Sequence, residues 1–263
     1  MKMNKYLGEF TITHYEKLLN KNNAPYIRMQ VNGNQGTEVA FCYKRVDEYM
    51  HLLSKYDEVS IDGFRLTKNT NMFIKVDSMR MNLNDLYRVY MAKLKEMDRL
   101  IDETGCICYF DMLMNDDDFM KKFCTVPASI TSHHAYMGGL LVHTVNSMEF
   151  GLKLLEADTV PRMVNRSMLL TGLFLHDIGK AYCYDIIGFD FHVNQTGRNF
   201  GHVYMSCEIV DRIAKQLPFI EEETRVQLMN IVLSHHSNSF VKPMSPEAEF
   251  VCAIDTLSAK VGA

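Results

Sequence analysis

The chain lacks the features that mark membrane and exported proteins. No apolar run approaches the roughly 18 residues that a membrane-spanning helix needs. The N-terminus, Met1-Lys2-Met3-Asn4-Lys5, is followed by polar residues where a signal peptide would carry an apolar segment. No internal repeat or low-complexity segment is evident. We therefore expect a globular protein of one or two domains, located in the cytoplasm and without a membrane partner.

The cysteines exclude a disulfide-stabilised fold. There are seven of them, an odd number, and their spacing is scattered. A disulfide framework is not expected in a cytosolic chain of this size. Cys106 and Cys108 are too close in sequence for the usual zinc-binding pair. The cysteines are therefore predicted to be small buried hydrophobic residues.

The chain also lacks the strong positive charge of proteins that coat nucleic acids. Its net charge is −4, but the charge is unevenly distributed. Residues 1–80 carry 12 Lys and Arg against 9 Asp and Glu, whereas residues 81–263 carry 16 against 23. The first part could contact a polyanion, and the acidic second part would gain positive charge locally from bound metal ions.

Short β-strand patterns dominate the first 80 residues. Alternating segments at 26–31, 38–43, 59–64 and 72–76 predict strands, and 45–55 has the apolar spacing of a helix. Several short strands with one interposed helix indicate a small barrel of the oligonucleotide-binding (OB) type over residues 1–80. Its aromatic residues are predicted either to stack nucleic-acid bases or to lie in the core: Tyr26, Phe41, Tyr43, Phe64 and Phe73.

Helical patterns replace the strand patterns after about residue 82. Apolar residues from Leu83 to Ile101 form a helical stripe, and Asp116-Asp117-Asp118 is typical of a helix start. Further helices are predicted near 139–157, 161–176, 202–217, 221–235 and 246–260. The expected fold is α+β and multidomain: an N-terminal OB-like β-barrel over 1–80, a helical linker over 81–125 and a C-terminal all-α domain over 126–263.

Imidazoles and carboxylates are spread over the predicted all-α domain, mostly at helix ends. They are His143, His176, Asp177, His202, His235, His236 and Asp255. Imidazole suits Zn, Mn, Fe, Co or Ni, and a carboxylate can bridge two ions. Seven such groups exceed the needs of one tetrahedral metal but suit two metals that share an aspartate. Two-metal sites of this kind cleave phosphate esters, so the sequence predicts a metal-dependent phosphohydrolase.

Other residues are candidates for catalysis or substrate binding around this set. Lys180 could neutralise a phosphate oxygen or be a solvated surface residue. His133 and His134 could line the site and protonate the leaving oxygen, or have a structural role. Arg166 and Arg198 are weaker candidates for binding phosphate. With Asp177, the residues Lys180, His133 and His134 form the predicted catalytic set.

The motifs resemble those of the HD-domain phosphohydrolases, and most closely the YhaM-type 3′–5′ exoribonucleases. They are His133-His134-Ala135-Tyr136-Met137-Gly138-Gly139-Leu140-Leu141-Val142-His143-Thr144, Leu175-His176-Asp177-Ile178-Gly179-Lys180, Gly201-His202, Leu233-Ser234-His235-His236 and Ile254-Asp255. The resemblance is specific over about 125–262 and looser over 1–80. Residues 237–244 depart from it, because the family has a Gly-Ser-Pro-containing segment there. That departure leaves the metal ligands in place but affects the expected choice of substrate.

The resemblance and the chemistry together imply roles. His143, His176, Asp177 and Asp255 would hold one divalent cation, and Asp177 would bridge to a second. His202 and His235 would hold the second cation, with His236 either a further ligand or a residue behind the ligands. Mn²⁺ is the first expectation, with Fe, Co, Ni and Zn as alternatives.

Three functions follow, in decreasing order of support. The first is a 3′–5′ exonuclease acting on single-stranded RNA, with activity on DNA left open. The second is a phosphodiesterase acting on a small nucleotide, a cyclic nucleotide or a cyclic oligonucleotide, which the altered segment 237–244 and the low basicity favour slightly. The third is a non-enzymatic nucleic-acid-binding protein with a vestigial site. An apolar face of either domain could also support a homo-oligomer.

Overall fold

The computed structural model describes residues 5–68, 71–130, 134–157, 164–187 and 190–261. The chain divides after Leu86 into two compact units, a β-barrel unit and a helical unit. The predicted α+β fold class, a small OB-like barrel followed by a helical region, is therefore confirmed. Each unit is described separately below.

The barrel unit is a closed five-stranded sheet. Its strands are β1 (Lys5–Leu19), β2 (Pro25–Gly33), β3 (Gly36–Cys42), β4 (Glu58–Lys68) and β5 (Asn71–Met81), hydrogen-bonded in the order β1-β2-β3-β5-β4, with β1 closing onto β4. Only the β3–β5 pair is parallel. The long strand β1 serves both neighbours because it bends at Gly8, which has a φ of 130° next to a bulge.

Helix α1 (Val46–Leu53) lies in the connection from β3 to β4 and packs against the barrel core. The core is filled by medium-sized side chains that alternate along the strands, among them Ile27, Met29, Ala40 and Ile74. The alternate positions on β2, β3 and β5 put their aromatic side chains on the outer surface. As a result, none of the five aromatic residues that the sequence offers as core or surface is buried in the core.

The helical unit is built from ten helices and one hairpin within the described residues. The helices are α2 (Leu83–Asp98), which begins in the barrel unit, α3 (Thr104–Met114), α4 (Asp117–Phe123), α5 (Gly139–Leu155), α6 (Arg166–Leu175), α7 (Lys180–Cys183), α8 (Gln195–Asn199), α9 (Gly201–Gln216), α10 (Glu222–Ser234) and α11 (Pro246–Val261). Helices α5, α6, α10 and α11 pack against one another, and α9 packs against α10 and α7. Helices α3 and α4, from the segment 81–125, pack against α6, α7 and α9.

Local sequence explains where several of these helices begin. Asp116 caps α4, because its carboxylate accepts a hydrogen bond from the Phe119 amide at 2.9 Å. Asn165 caps α6 in the same way through the Met168 amide. Pro161, which the sequence suggests as a helix start, lies outside the described residues. The predicted insert between residues 182 and 199 is a hairpin of β6 (Tyr184–Ile187) and β7 (Asp190–Val193), followed by α8.

Two predictions from composition concern the whole chain. All seven cysteines are free, and five of them are buried, as expected for small hydrophobic residues. Among the helices that the structure describes, none has both the length and the apolar character needed to cross a bilayer.

Candidate metal centre

Helix ends and one helix face bring all seven predicted metal ligands together in the helical unit. His176 ends α6 and Asp177 follows it, while His235 ends α10 and His236 follows it. The other three are His143 in α5, His202 in the first turn of α9, and Asp255 in α11. Their ligand atoms fall into two groups, each with all atoms within 4.8 Å of one another: His143, His176, Asp177 and Asp255, and His202, His235 and His236.

Asp177 lies between the two groups and faces each with a different oxygen atom. Its Oδ2 is 3.3 Å from His143 Nε2 and 3.5 Å from His176 Nε2. Its Oδ1 is 3.3 Å from His202 Nε2 and 3.6 Å from His235 Nε2. A carboxylate with one oxygen in each group is the arrangement that a bridging ligand between two cations requires.

Asp255 also contacts both groups, from the opposite helix. Its Oδ1 is 3.3 Å from His143 Nε2, and its Oδ2 is 3.5 Å from His236 Nδ1. His236 in turn directs Nε2 towards His202 Nε2 at 3.0 Å. His236 therefore lies close enough to be a ligand of the second group and also contacts a carboxylate of the first.

The backbone fixes the orientation of the buried imidazoles. His176 Nδ1 lies 2.8 Å from the Leu173 carbonyl, and His235 Nδ1 lies 2.7 Å from the Val232 carbonyl. A carbonyl only accepts, so each Nδ1 carries a proton and each Nε2 faces the cluster. In metal proteins the same arrangement orients ligating histidines.

Two buried atoms in the cluster support its fit to cations. Asp177 Oδ1 and His235 Nε2 have no hydrogen-bond partner among the described residues. Leaving a buried acceptor unsatisfied is costly, and an unsatisfied group in a native fold needs an explanation. Both atoms are acceptors that point at the same space 3.6 Å apart, so a cation between them would satisfy both. The residues present therefore fit divalent metal ions.

The charge states agree with this fit. Burial lowers the pKa of His202 to about 4 and that of His235 to about 3, so both imidazoles are neutral at pH 7. Burial alone would raise the pKa of Asp177, but the charges of Lys180 and His176 and the histidine hydrogen bonds hold it well below its usual range. A neutral imidazole and an ionised carboxylate are the forms that bind metals.

His176 differs from the other buried imidazoles. Burial lowers its pKa, but Asp177 and Asp255 outweigh burial through charge and hydrogen bonds and raise the pKa to about 10. Without a cation, the two carboxylates therefore hold a proton on this imidazole. A cation that binds at His176 would replace that proton as the partner of the two carboxylates.

Lys180 is part of the cluster and is not a solvated surface residue. It is 5% exposed, and its Nζ donates to Asp177 Oδ2 at 2.5 Å. It opens α7, one turn after Asp177. Its charge therefore stabilises the ionised form of the carboxylate that both groups share.

Close backbone packing explains the glycine between Asp177 and Lys180. A Cβ on Gly179 would lie 2.1 Å from the His202 carbonyl oxygen and 2.6 Å from the Ser206 amide nitrogen. The Gly179 amide also donates to Ser206 Oγ at 2.8 Å. Only glycine allows the first turn of α9 to come this close, and that approach brings His202 to Asp177.

His134 lies beside the cluster in a conformation that side-chain-bearing residues rarely adopt. Its φ is 48°, it is 8% exposed, and its ring centroid is 5.9 Å from that of His143. Its carbonyl accepts a hydrogen bond from the Ala128 amide, and its Nδ1 lies 2.8 Å from the Tyr136 hydroxyl. Such strain at a fixed position is typical of functional sites. His133 lies outside the described residues.

The two arginine candidates do not join the cluster. Arg166 begins α6 and forms an ion pair with Asp102 at 3.0 Å. His176 is at the opposite end of that helix, about 15 Å away along its axis. Arg166 therefore lies at the end of α6 far from the candidate ligands, and its predicted contact with a substrate phosphate stays a prediction. Arg198 is exposed in α8, one turn before His202, and its role in binding phosphate stays a prediction.

Two serines support the ligands and were not identified from the sequence. Ser258 Oγ lies 3.2 Å from His143 Nδ1, and Ser206 Oγ bonds to the His176 carbonyl at 3.2 Å. Ser258 is one helical turn after Asp255, and Ser206 is one turn after His202. That spacing places each serine on the same helix face as a ligand, a signal that the sequence does contain.

Comparison with known proteins assigns this region to a family. Residues 140–260 match the model of the HD domain, so the helical unit contains an HD domain. All seven candidate ligand positions, from His143 to Asp255, lie within this match. No solved structure matches the chain significantly.

Curated relatives give a closer comparison. The chain is 32% identical over 152 residues to the 3′–5′ exoribonuclease YhaM of Oceanobacillus iheyensis, which covers 54% of this chain and 46% of the relative. It is 31% identical over 146 residues to YhaM of Shouchella clausii, and 32% identical over 151 residues to YhaM of Listeria welshimeri. Each of these two matches covers 54% of this chain. They cover 44% of the Shouchella clausii protein and 45% of the Listeria welshimeri protein. The matched region thus spans a little under half of each relative. The resemblance predicted from the motifs is confirmed.

Proposed function

We propose that this protein is a metal-dependent 3′–5′ exonuclease that hydrolyses the phosphodiester bonds of single-stranded RNA. The observation that carries the proposal is Asp177, a buried carboxylate with one oxygen in each of two groups of metal-binding side chains. Two divalent cations held there, Mn²⁺ first among them, would activate a water molecule and polarise a phosphoryl oxygen. The direction of cleavage and the choice of RNA rest on the names of the relatives.

The chain's own residues have distinct tasks in this proposal. Asp177 and Asp255 supply the negative charge that draws cations into the cluster. The Nδ1–carbonyl hydrogen bonds of His176 and His235 keep two lone pairs directed inward. Lys180 keeps Asp177 ionised and adds positive charge for a phosphate oxygen. Helix packing positions these groups before substrate binds, so little reorganisation is needed during the reaction.

His134 is suited to deliver a proton to the oxygen that leaves. It is next to His143 but is not one of the seven metal-binding residues. The Tyr136 hydroxyl holds its Nδ1, which directs the other ring nitrogen away from that hydroxyl. In hydrolysis of an RNA 3′ end, the leaving group is the 3′-oxygen of the preceding nucleotide, and a positioned imidazole can protonate it.

A groove on the outer surface of the barrel supports a single-stranded substrate. It has a volume of about 830 Å³ and is lined by Phe41, Tyr43 and Phe73 with Lys68 and Arg28. The Tyr43 ring stacks on Tyr26 at 5.5 Å between centroids, and Phe41 meets Phe73 edge-on at 5.6 Å. Arg28 also faces Glu16 at 3.4 Å. Exposed aromatic rings beside cations are the elements of single-strand binding.

The test is a time course on 5′-labelled single-stranded RNA with Mn²⁺, resolved on a denaturing gel. We expect a descending ladder from the wild-type protein and none from Asp177→Ala, whose rate should fall at least about a thousandfold because several kcal/mol of charge stabilisation are lost. Asp118→Ala, a change of an exposed aspartate in α4, is the matched control and should behave as wild type. Metal content should approach two ions per chain in the wild type and fall in Asp177→Ala alone.

The same experiment separates the competing functions. Immediate release of a labelled mononucleotide would reverse the proposed direction. Intact RNA with metal bound would favour a small or cyclic nucleotide as the substrate. An absence of bound metal after Mn²⁺ loading would favour a non-enzymatic protein with a vestigial site.

A further inference from the structure

Among the described residues of the metal cluster, solvent exposure is greatest in the second group. The side chains of His143, His176, Asp177 and His235 are 0% exposed. In contrast, the side chain of His202 is 24% exposed and that of His236 is 36% exposed. A phosphodiester can therefore reach the cluster from the side of the second group, where His202 and His236 meet.

The loop after His236 borders this open side and is held in a fixed shape. The Ser239 amide donates to the His236 carbonyl at 2.9 Å, which closes a β-turn directly after the ligand pair. Further along, the Asn230 side chain donates to the Lys242 carbonyl at 3.0 Å and accepts from the Met244 amide at 2.9 Å. The loop is thus anchored at both ends to the cluster and to α10.

Phe240 projects from this anchored loop into solvent. It is 101% exposed, the largest value among the exposed large hydrophobic side chains of the described residues. The hydrophobic effect favours burial of such a ring, so a fixed backbone that presents it to water leaves an aromatic face available for a ligand. Lys242, two residues further on, is exposed as well and adds a positive charge to the same loop.

The distance from Phe240 to the cluster is short on the scale of a nucleic-acid strand. The ends of a β-turn lie within about 7 Å, and the next Cα is about 3.8 Å further, so the Cα of Phe240 is within about 11 Å of that of His236. Successive nucleotides of a stacked strand rise about 3.4 Å along the axis. A ring within about 11 Å can therefore meet a base within about three nucleotides of the cleaved bond.

We propose that Phe240 is a base-stacking residue at the entrance of the cluster, which positions an unpaired base of the strand for cleavage, while Lys242 attracts the adjoining phosphate. This inference rests on the proposed function and adds to it a determinant of substrate choice. A stacking face accepts any unpaired base, so the site would accept single-stranded ends of any sequence. Phe240 lies in the segment 237–244, where the sequence departs from the family that the chain resembles.

The test compares Phe240→Leu with a matched control at the opposite end of α10, the helix that precedes the loop of Phe240. Phe219 is 58% exposed in the connection before α10, and the 13 residues of that helix separate it from the cluster by about 20 Å. We expect Phe240→Leu to raise KM for single-stranded RNA about tenfold, with kcat and Tm unchanged. Phe240→Trp should restore the wild-type KM, and Phe219→Leu should not alter it.

Substrates without bases identify the contact. RNA whose last three nucleotides are stable abasic analogues should raise the wild-type KM by the same factor, and Phe240→Leu should add no further increase. Equal KM values for Phe240→Leu and Phe219→Leu would overturn the inference while the wild-type ladder still supports the proposed function. The inference would also be overturned if Phe240→Leu raised KM for the abasic substrate by the same factor as for intact RNA. A change in the oligomeric state of Phe240→Leu without any effect on KM would overturn it as well. Failure of the wild type to cleave any RNA would remove both proposals.

Discussion

The barrel and the helical unit build their candidate sites in different ways. The groove on the barrel uses neighbouring positions of the sheet, such as Phe41 in β3, Tyr43 directly after it and Phe73 in β5. The metal cluster uses side chains from five separate segments, which extend from His143 to Asp255. A strand presents alternate side chains on one face wherever it is formed, whereas the cluster depends on how five helices pack. Single substitutions should therefore weaken the groove gradually but disrupt the cluster sharply.

The two units also differ in charge. Residues 1–80 have an excess of three positive charges, from 12 Lys and Arg against 9 Asp and Glu. The cluster instead buries two ionised carboxylates, which repel a phosphate until cations neutralise them. We therefore expect the barrel to bind a strand without metal, and cleavage to require it.

The dependence of the cluster on backbone packing is strongest at Gly179. In Gly179→Ala the new Cβ would collide with the backbone of His202 and Ser206, so α9 has to move and carry His202 away from Asp177. We expect a loss of about 3 kcal/mol or more in the free energy of unfolding and loss of one of the two proposed metal ions. Urea denaturation and metal analysis measure the two effects.

Gly105→Ala is the matched control for this substitution. Gly105 is also helical and in the same unit, but its new Cβ would meet only the Thr224 side chain, at 3.4 Å. Gly105→Ala should leave the free energy of unfolding and the metal content almost unchanged. If Gly179→Ala left stability and metal content unchanged, α9 would tolerate displacement. The expected contrast, a cluster that single substitutions disrupt sharply and a groove that they weaken gradually, would then be wrong.

The hydroxyl of Ser258 has a smaller effect, through its contact with His143. Removing it in Ser258→Ala frees the His143 ring to rotate, and we expect metal affinity to fall about 10- to 100-fold. Ser147→Ala is a matched control, because Ser147 is equally buried, one turn after His143, and its hydroxyl has no partner among the described residues. Competition with a fluorescent chelator measures both affinities. Equal losses in the two variants would assign the effect of Ser258 to packing alone.

The sequence predicts the parts of the cluster better than its geometry. Residue chemistry and motif order identify the seven candidate ligands one by one, since helix ends can be read from local patterns. The same patterns cannot reveal that Asp177 directs one oxygen to each group, because this depends on the packing of α10 against α6 and of α9 against α7. They also leave open a surface position for Lys180, which is buried. Nor do they reveal the ion pair of Arg166 with Asp102, 64 residues earlier in the chain.

The barrel shows a different limit of the sequence. Alternation through β3 and the residue after it separates Ala40 and Cys42 from Phe41 and Tyr43, but it does not say which pair faces inward. The larger aromatic pair would bury more apolar area and is the natural core candidate. The structure instead buries Ala40 and Cys42, because a closed five-stranded barrel has a narrow interior that Ile27, Met29 and other core residues already fill.

The smallest expected effect is on strand binding by the barrel. Tyr43 is 49% exposed and stacked on Tyr26, so Tyr43→Ala removes one stacking face and leaves the barrel core intact. In an Asp177→Ala background, which prevents cleavage, we expect affinity for single-stranded RNA to fall about tenfold without a change in metal content. Leu19→Ala, at the exposed end of β1, controls for loss of an apolar side chain. Fluorescence anisotropy in EDTA and in Mn²⁺ measures the affinity. If Tyr43→Ala and Leu19→Ala bound RNA equally, or if EDTA abolished binding, the barrel would not be the metal-independent binding unit and the strand would bind at the helical unit.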